Sequence, residues 1–337
     1  MSWPTQSEVD RLLRRITTAF GEEPVATAIP RRKQIVFMNP ATAVAEGAVV
    51  DEVAAQRAAD AVRRSAELMA RNEIPDVSDL PRAADLAALE VCIRFMRPAL
   101  YVKGDRIAGA QQLKLSDTSR KAIEALLPGI GSIGFPESRK GVATGFLVGR
   151  RALATNIHVI RAITTGKQPR PLTDAVVRFD VEWDELERWK AIRVVGEIVR
   201  HPTLDWALLE LAEDGPRPGL PLDGALKSKP NDRLLVVGHP NDDWRTPTWA
   251  KAMYAGNWGV KRVSPGAVLR ADDELLLHDA STLGGNSGSP VIDAESGRVV
   301  GIHAEGVWAL ENTAVRAGTA TTFQAMDSAI ESWVARC

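Results

Sequence analysis

The sequence predicts a mainly β protein with an α-helical region in front of it. From about residue 130, short β-rich runs follow one another closely and are separated by Gly, Pro, Asn and Asp. This texture is typical of an all-β barrel or sandwich. Before about residue 110, apolar residues recur at helical spacing among Ala, Leu, Glu and Arg, which favours helices.

Three helices are predicted in the first region. Thr5 and Glu8 form a capping box in front of an apolar stripe, and DEVAAQRAADAVRRSAELMARNEI and DLAALEVCIRFM give two more. The segment KQIVFM between them is either a short strand or a buried connector. Near the other end, TFQAMDSAIESWVAR places Phe323, Met326, Ile330, Trp333 and Val334 on one face, which predicts a C-terminal helix docked on the β domain.

These patterns divide the chain into three parts. Residues 1–110 form a helical N-terminal module of regulatory or recruiting function, and residues 111–129, with LKLSDTSRKAIEALLPG, form a linking helix. Residues 130–337 form the β domain. The motifs that carry chemistry lie in this third part.

Composition excludes several classes of protein. Lys and Arg number 42 against 43 Asp and Glu, so charge gives no argument for a nucleic-acid partner or an anionic membrane. The first twenty residues lack a signal-peptide core and no segment has the roughly 18 apolar residues of a membrane span. We therefore expect a cytoplasmic protein.

No cofactor or metal is expected from the sequence. The two cysteines, Cys92 and Cys337, are far apart and form no CxxC or Cys/His cluster. We expect free thiols, with one disulfide as the alternative.

Two apparent motifs are decoys. Gly129, Gly131 and Gly134 match GxGxxG, but a helical pattern precedes them and no helix follows, so the dinucleotide interpretation fails. The loop around Ser287 lacks the last glycine of the GxSxG elbow and no helical pattern follows it.

The candidate catalytic residues are a serine, a histidine and an aspartate. Ser287 lies in the Gly-rich loop STLGGNSGSPVI, His158 ends the apolar run LATNIHVI, and Asp205 precedes the apolar strand of TLDWALLEL. A serine nucleophile needs a neutral imidazole and a buried carboxylate to fix its tautomer. Taken singly, His158 is better explained as a packed strand-end residue, Asp205 as a turn cap and Ser287 as a turn residue.

The segments VATGFLVG, LATNIHVI, TLDWALLEL, GGNSGSPVID and GRVVGIHAEG resemble, in sequence and order, the trypsin-like serine endopeptidases of the chymotrypsin fold. The similarity is nearest to the bacterial V8 or glutamyl-endopeptidase group and covers about residues 130–337. It implies two six-stranded antiparallel β-barrels of chymotrypsin type. It also implies a triad of His158 as general base, Asp205 as its orienting carboxylate and Ser287 as nucleophile.

The resemblance implies further roles in the Ser287 loop. The backbone N–H groups of Gly285 and Ser287 would form the oxyanion hole. Asn286 replaces the aspartate that pairs with a newly cut amino terminus in digestive members of the family. Activation by that ion pair is therefore not expected.

Specificity residues are also implied by the resemblance. Ser281 stands where trypsin-like cleavage would want an aspartate, while Thr282 and His303 fall where glutamyl endopeptidases bind an acidic side chain. Gly306 completes this S1 set. Glu305 departs from the family pattern, and period-2 alternation predicts that it shares a strand face with His303, where it would repel an acidic substrate; a core histidine is the alternative for His303.

These observations predict a serine endopeptidase that acts on protein or peptide substrates through an acyl-enzyme, with a preference for acidic P1 residues. A regulatory partner of the helical module is also expected. The alternatives are a catalytically silent protease-like binding module and an HtrA-like protease without a PDZ domain.

Overall fold

The computed structural model describes residues 6–21, 23–25, 51–71, 73, 75, 81–138, 141–183, 190–223, 228–242, 254, 257–307 and 311–316. The described residues up to Pro98 belong to one compact unit. Those from Ala99 onward belong to a second, apart from Tyr254, Val307 and Glu311.

The first unit is helical, as the sequence predicts. It contains α1 (Gln6–Phe20), α2 (Glu52–Ala70) and α3 (Ala83–Met96). The Asp51 side chain accepts the Ala54 N–H at 2.8 Å and begins α2, because the first backbone N–H groups of a helix lack internal acceptors. The apolar faces share one core, which includes Ile16, Ala55, Ala58, Val62, Leu89 and the buried Cys92.

The second unit contains a closed six-stranded barrel. Its strands pair in the order β3-β4-β5-β8-β7-β6, each antiparallel to the next. Their bounds are β3 Ile130–Gly134, β4 Ala143–Leu147, β5 Ala152–Thr155, β6 Val176–Arg178, β7 Ala191–Arg200 and β8 Ala207–Leu211. The helix α5 (Ile157–Thr165) follows β5. Of the GxGxxG decoy, Gly131 and Gly134 lie in β3 and Gly129 directly precedes it.

A second, eight-stranded sheet runs β11-β14-β13-β12-β9-β10-β1-β2, and β10 also pairs with β11. Six of its strands therefore pair in a ring, extended by β1 and β2. The strand bounds are β1 Leu100–Lys103, β2 Arg106–Ile107, β9 Arg233–Gly238, β10 Arg262–Ala271, β11 Leu275–His278, β12 Pro290–Asp293, β13 Val299–Val307 and β14 Glu311–Arg316. The predicted mainly β architecture is confirmed, with this longer sheet where a second six-stranded barrel was expected.

The segment in front of the barrel is built into the β unit. The strand β1 pairs with β10, and α4 (Asp117–Glu124) lies within the predicted linking helix. The fully buried Lys261 ammonium donates to Leu127 O at 2.8 Å and to Phe179 O at 2.6 Å, and pairs with Glu182 at 3.2 Å. The β structure therefore begins upstream of residue 130, where the sequence predicts its start. The sequence did not indicate β1 and β2 because both are too short to show a period-2 pattern.

Two sequence predictions concern residues outside the described ones. These are the strand or connector KQIVFM and the C-terminal helix of TFQAMDSAIESWVAR. Cys337 also lies outside them.

Candidate active site

His158 and Asp205 meet at one end of the first barrel. Asp205 precedes β8, and His158 lies in the first turn of α5, three residues after β5, whereas the sequence predicts it at a strand end. His158 Nδ1 lies 2.5 Å from one Asp205 carboxylate oxygen, and the His158 N–H donates to the other at 3.0 Å. The carboxylate thus fixes both the ring and the backbone of His158.

The environment of Asp205 keeps it ionised. Burial raises the pKa of this carboxyl, but the hydrogen bond and charge of His158, with the backbone N–H groups of His158 and Ile157, outweigh burial and lower it below its ordinary value. The Asn156 amide donates to Asp205 O at 2.7 Å and ties the aspartate loop to the start of α5. An ionised carboxylate at Nδ1 holds the proton on that nitrogen and leaves Nε2 as the acceptor.

Ser287 lies in the loop between β11 and β12, where two glycines have left-handed backbone conformations. Gly285 has φ +90° and Gly288 has φ +85°, which strongly favours glycine. A Cβ on Gly288 would lie 2.1 Å from Thr144 O and 2.4 Å from the Thr155 hydroxyl. The loop therefore approaches the backbone of the first barrel more closely than any side chain would allow.

Thr144 of β4 holds this loop through two of its atoms and is bonded to β5 through a third. Its N–H donates to Ser287 O at 2.9 Å, and its hydroxyl donates to Gly285 O at 2.8 Å. Its carbonyl accepts the Thr155 hydroxyl at 2.9 Å. Since Thr155 stands three residues before His158, the same strand end supports the Ser287 loop and the His158–Asp205 pair.

The Ser287 hydroxyl donates to Ala304 O at 3.2 Å. Among the described residues it makes no hydrogen bond to His158. The histidine and aspartate are thus paired directly, whereas the Ser287 loop is bonded to Thr144, whose carbonyl accepts the Thr155 hydroxyl.

The backbone N–H groups of Gly285 and Ser287 have no hydrogen-bond acceptor within the described part of the chain. Two of their neighbours in the loop do. Asn286 N–H donates to Leu283 O at 3.2 Å and Gly288 N–H to His303 O at 2.9 Å. The two predicted oxyanion donors are therefore among the N–H groups of this loop that the described residues leave unsatisfied, together with that of Gly284.

The residues predicted for substrate specificity differ in exposure. Ser281, Thr282 and His303 are buried, whereas Gly306 is exposed. Glu305 is also exposed, so its environment differs from that of His303 despite the alternation. The register of β13 with β12 ends at Ile302, before both residues.

His303 is joined to a second buried histidine that sequence reasoning missed. His278 Nε2 and His303 Nδ1 lie 3.2 Å apart, and Ala280 N–H donates to His278 Nδ1 at 3.2 Å. Burial lowers the pKa of His278 to about 3. Burial, with the imidazoles of His278 and His158, lowers that of His303 well below its ordinary value.

These bonds determine the tautomers of both rings. His278 accepts at Nδ1, so its proton is on Nε2 and is donated to His303 Nδ1. The neutral His303 then carries its proton on Nε2, for which the described residues supply no acceptor.

Three residues that contact the Ser287 loop were also missed by sequence reasoning. Thr144 lies in the segment VATGFLVG but was given no role there, and His239 and Asn241 lie in segments without a recognisable motif. Each acts through contacts with residues far away in the chain. The dipeptide His239-Pro240 after an apolar strand is the only local signal of a fixed turn here. The described residues contain no cluster of His, Cys, Asp and Glu able to hold a metal, and no helix among them is long and apolar enough to span a membrane.

The model of one protein family, the trypsin-like peptidase domain, matches residues 143–302. Glutamyl endopeptidase of Staphylococcus epidermidis is 28% identical over 172 residues, which are 49% of this chain and 54% of that protein. Glutamyl endopeptidase of Staphylococcus aureus (strain MW2) is 24% identical over 188 residues, or 49% and 47%. The chain therefore spans about half the length of the curated relatives it matches.

Among solved structures, a Glu endopeptidase is similar over 61% of this chain and 91% of its own, with 18% identity and a TM-score of 0.48. The matched family model covers β4 to β13 up to Ile302, including His158, Asp205 and Ser287. Residues 143–302 are therefore similar to a trypsin-like peptidase domain.

Proposed function

We propose that the protein is a serine endopeptidase with a triad of Ser287, His158 and Asp205. The observation that carries the proposal is the paired contact of Asp205 with both the ring and the backbone N–H of His158. A carboxylate that only capped the helix would need the backbone bond alone. The second bond to Nδ1 is the one that prepares Nε2 to accept a proton.

In the proposed reaction, Ser287 Oγ turns from Ala304 O toward His158 and attacks the substrate carbonyl as His158 Nε2 takes its proton. The N–H groups of Gly285 and Ser287 donate to the developing oxyanion. His158 then gives the proton to the leaving amine and an acyl-enzyme remains. Water, deprotonated by His158, releases the acid and restores Ser287.

The proposal is tested by labelling with a fluorophosphonate probe. We expect the wild-type protein to be labelled and to cleave unfolded protein substrates, and Ser287→Ala to lose both activities. Ser296→Ala, which removes an exposed hydroxyl bonded to Asp293, is the matched control and should be labelled like the wild type. A folded wild-type protein that is neither labelled nor active would support the alternative of a silent binding module.

We infer further that the S1 subsite accepts an acidic side chain. The Nε2 proton of His303 has no hydrogen-bond acceptor among the described residues, and the ring is neutral because burial lowers its pKa. A neutral imidazole can donate a hydrogen bond to a carboxylate without the cost of a buried positive charge. The similarity to two glutamyl endopeptidases favours the same ligand.

The S1 inference is tested with a pair of peptides that differ only in Glu or Gln at P1. We expect kcat/KM for Glu to exceed that for Gln by about 10- to 100-fold, the worth of one charge-assisted hydrogen bond. His303→Leu should remove this ratio, and His201→Leu, on the turn before β8, should retain it. A wild-type ratio near one would refute the acidic preference and leave the peptidase proposal intact.

A further inference from the structure

The orientation of an oxyanion donor is set by the peptide plane to which it belongs. The described peptide bonds are all trans, so the C=O and N–H of one peptide unit point in opposite directions. The Ser287 N–H shares its plane with Asn286 C=O, and the Gly285 N–H shares its plane with Gly284 C=O. Whatever holds each carbonyl also aims the opposite N–H.

The two planes are held in different ways. Asn286 C=O accepts the Ser289 N–H at 2.9 Å, a bond within the loop itself. Gly284 C=O accepts the Asn241 N–H at 2.6 Å, from the turn that follows β9. Only the Gly285 donor therefore depends on a segment outside its own loop.

Asn241 is in turn fixed to the first barrel. Its side-chain amide donates to Gly141 O at 2.6 Å, just before β4. The same turn lies under Gly285, where a Cβ would meet His239 O at 2.4 Å and Asn241 Nδ2 at 2.6 Å. The His239 N–H donates to the Thr144 hydroxyl at 3.0 Å, which adds a second tie to β4.

We propose that Asn241 is a positioning residue of the oxyanion hole, whose side-chain bond to Gly141 O holds its backbone N–H on Gly284 O and thereby aims the Gly285 N–H at the substrate oxygen. This inference rests on the proposed peptidase function. Gly284 and Gly285 lack side chains and Gly285 has a left-handed φ, so their peptide is free to rotate unless its carbonyl is held.

The test compares Asn241→Ala and the nearly isosteric Asn241→Asp with Asn257→Ala. Both Asn241 changes remove the donor to Gly141 O, and the aspartate also repels that carbonyl. Asn257→Ala is the matched control, because it removes an asparagine amide bond to the Tyr101 hydroxyl (2.9 Å) elsewhere in the same unit. Activity, KM, inhibition by a peptide aldehyde with the sequence of the best substrate, and thermal unfolding are measured for each.

We expect Asn241→Ala to lower kcat by about 10- to 100-fold, less than the roughly 100- to 1000-fold loss of a whole donor, with Asn241→Asp at the larger end. KM should stay within about twofold, and the aldehyde inhibition constant should rise in step with the fall in kcat, since the hemiacetal oxygen occupies the oxyanion position.

Unchanged kcat in both Asn241 variants, with an active wild type, would overturn the inference alone. Loss of fold in both, or an equal loss of activity in Asn257→Ala, would also overturn it, since either result indicates a purely structural role. An inactive wild-type protein would refute the peptidase proposal and the inference with it.

Discussion

His158 and His303 are the same side chain in two opposite environments. The His158 ring is partly exposed, at 42%, and faces a carboxylate that is 34% exposed. The His303 ring is buried and faces a second imidazole. A carboxylate partner stabilises a positive imidazolium, whereas burial beside another imidazole disfavours it.

This difference separates the two chemical tasks proposed for the site. A general base must gain and lose a proton during the reaction, so it needs a partner that stabilises the charged form. A residue that recognises a substrate carboxylate through a fixed N–H must keep one tautomer. One imidazole lies at a barrel end beside Asp205, and the other lies on β13 of the second sheet beside His278 of β11.

The largest loss of activity is expected from removing the charge that faces His158. We expect Asp205→Asn to lower kcat by about 10⁴-fold with little change in KM, the loss typical of such triads. The new amide donates to Nδ1, moves the ring proton to Nε2 and leaves no acceptor for the Ser287 proton. Steady-state kinetics measures the effect.

The matched control for that change is Asp214→Asn. Asp214 is exposed and lies 3.4 Å from Arg150, so the same neutralisation there should leave kcat unchanged. If Asp205→Asn retained more than about a tenth of wild-type kcat, Asp205 would not have the orienting role assigned to it.

A smaller effect is expected on stability, and it concerns His278, the buried partner of His303. The folded pKa of His278 is about 3, against about 6.5 for an unfolded histidine. Between these values the unfolded chain binds more protons, so the free energy of unfolding falls as pH falls below 6.5 and is independent of this group above about 7.5. Because of His278, we expect the free energy of unfolding to fall by about 1.4 kcal/mol for each pH unit by which the pH drops within that window.

Chemical denaturation of the wild type and His278→Gln between pH 4 and 8 measures this contribution. The variant should lose stability less steeply below pH 6.5, while at pH 7.5 to 8 the difference between the two proteins should be constant and serves as the internal control. Equal slopes in acid would mean that His278 is not held neutral by the fold. His239 and His303, whose pKa values burial also lowers, would then account for the acid loss.

Much of this site could be predicted from the sequence because its local rules are strong. Ser287 needs glycines around it for the left-handed turns, His158 follows the buried strand β5 by three residues, and Asp205 precedes the buried strand β8. These features depend on residues within a few positions and therefore appear as motifs. The supporting residues Asn241 and His278 do not, because their partners Gly284 and His303 are 43 and 25 residues away. Thr144 lies in the segment VATGFLVG, but its contact with Gly285, 141 residues away, is not visible there.

The sequence by itself determined the mainly β class, the helices before it, and the residue types and order of the candidate triad. It also placed the two glycines that a tight loop requires. Only the tertiary structure decided that His303 faces the imidazole of His278, since the two residues lie on separate strands, β13 and β11. Proton affinity depends on the surrounding charge and solvent, and for these two side chains that environment is assembled by strands and loops distant in the chain.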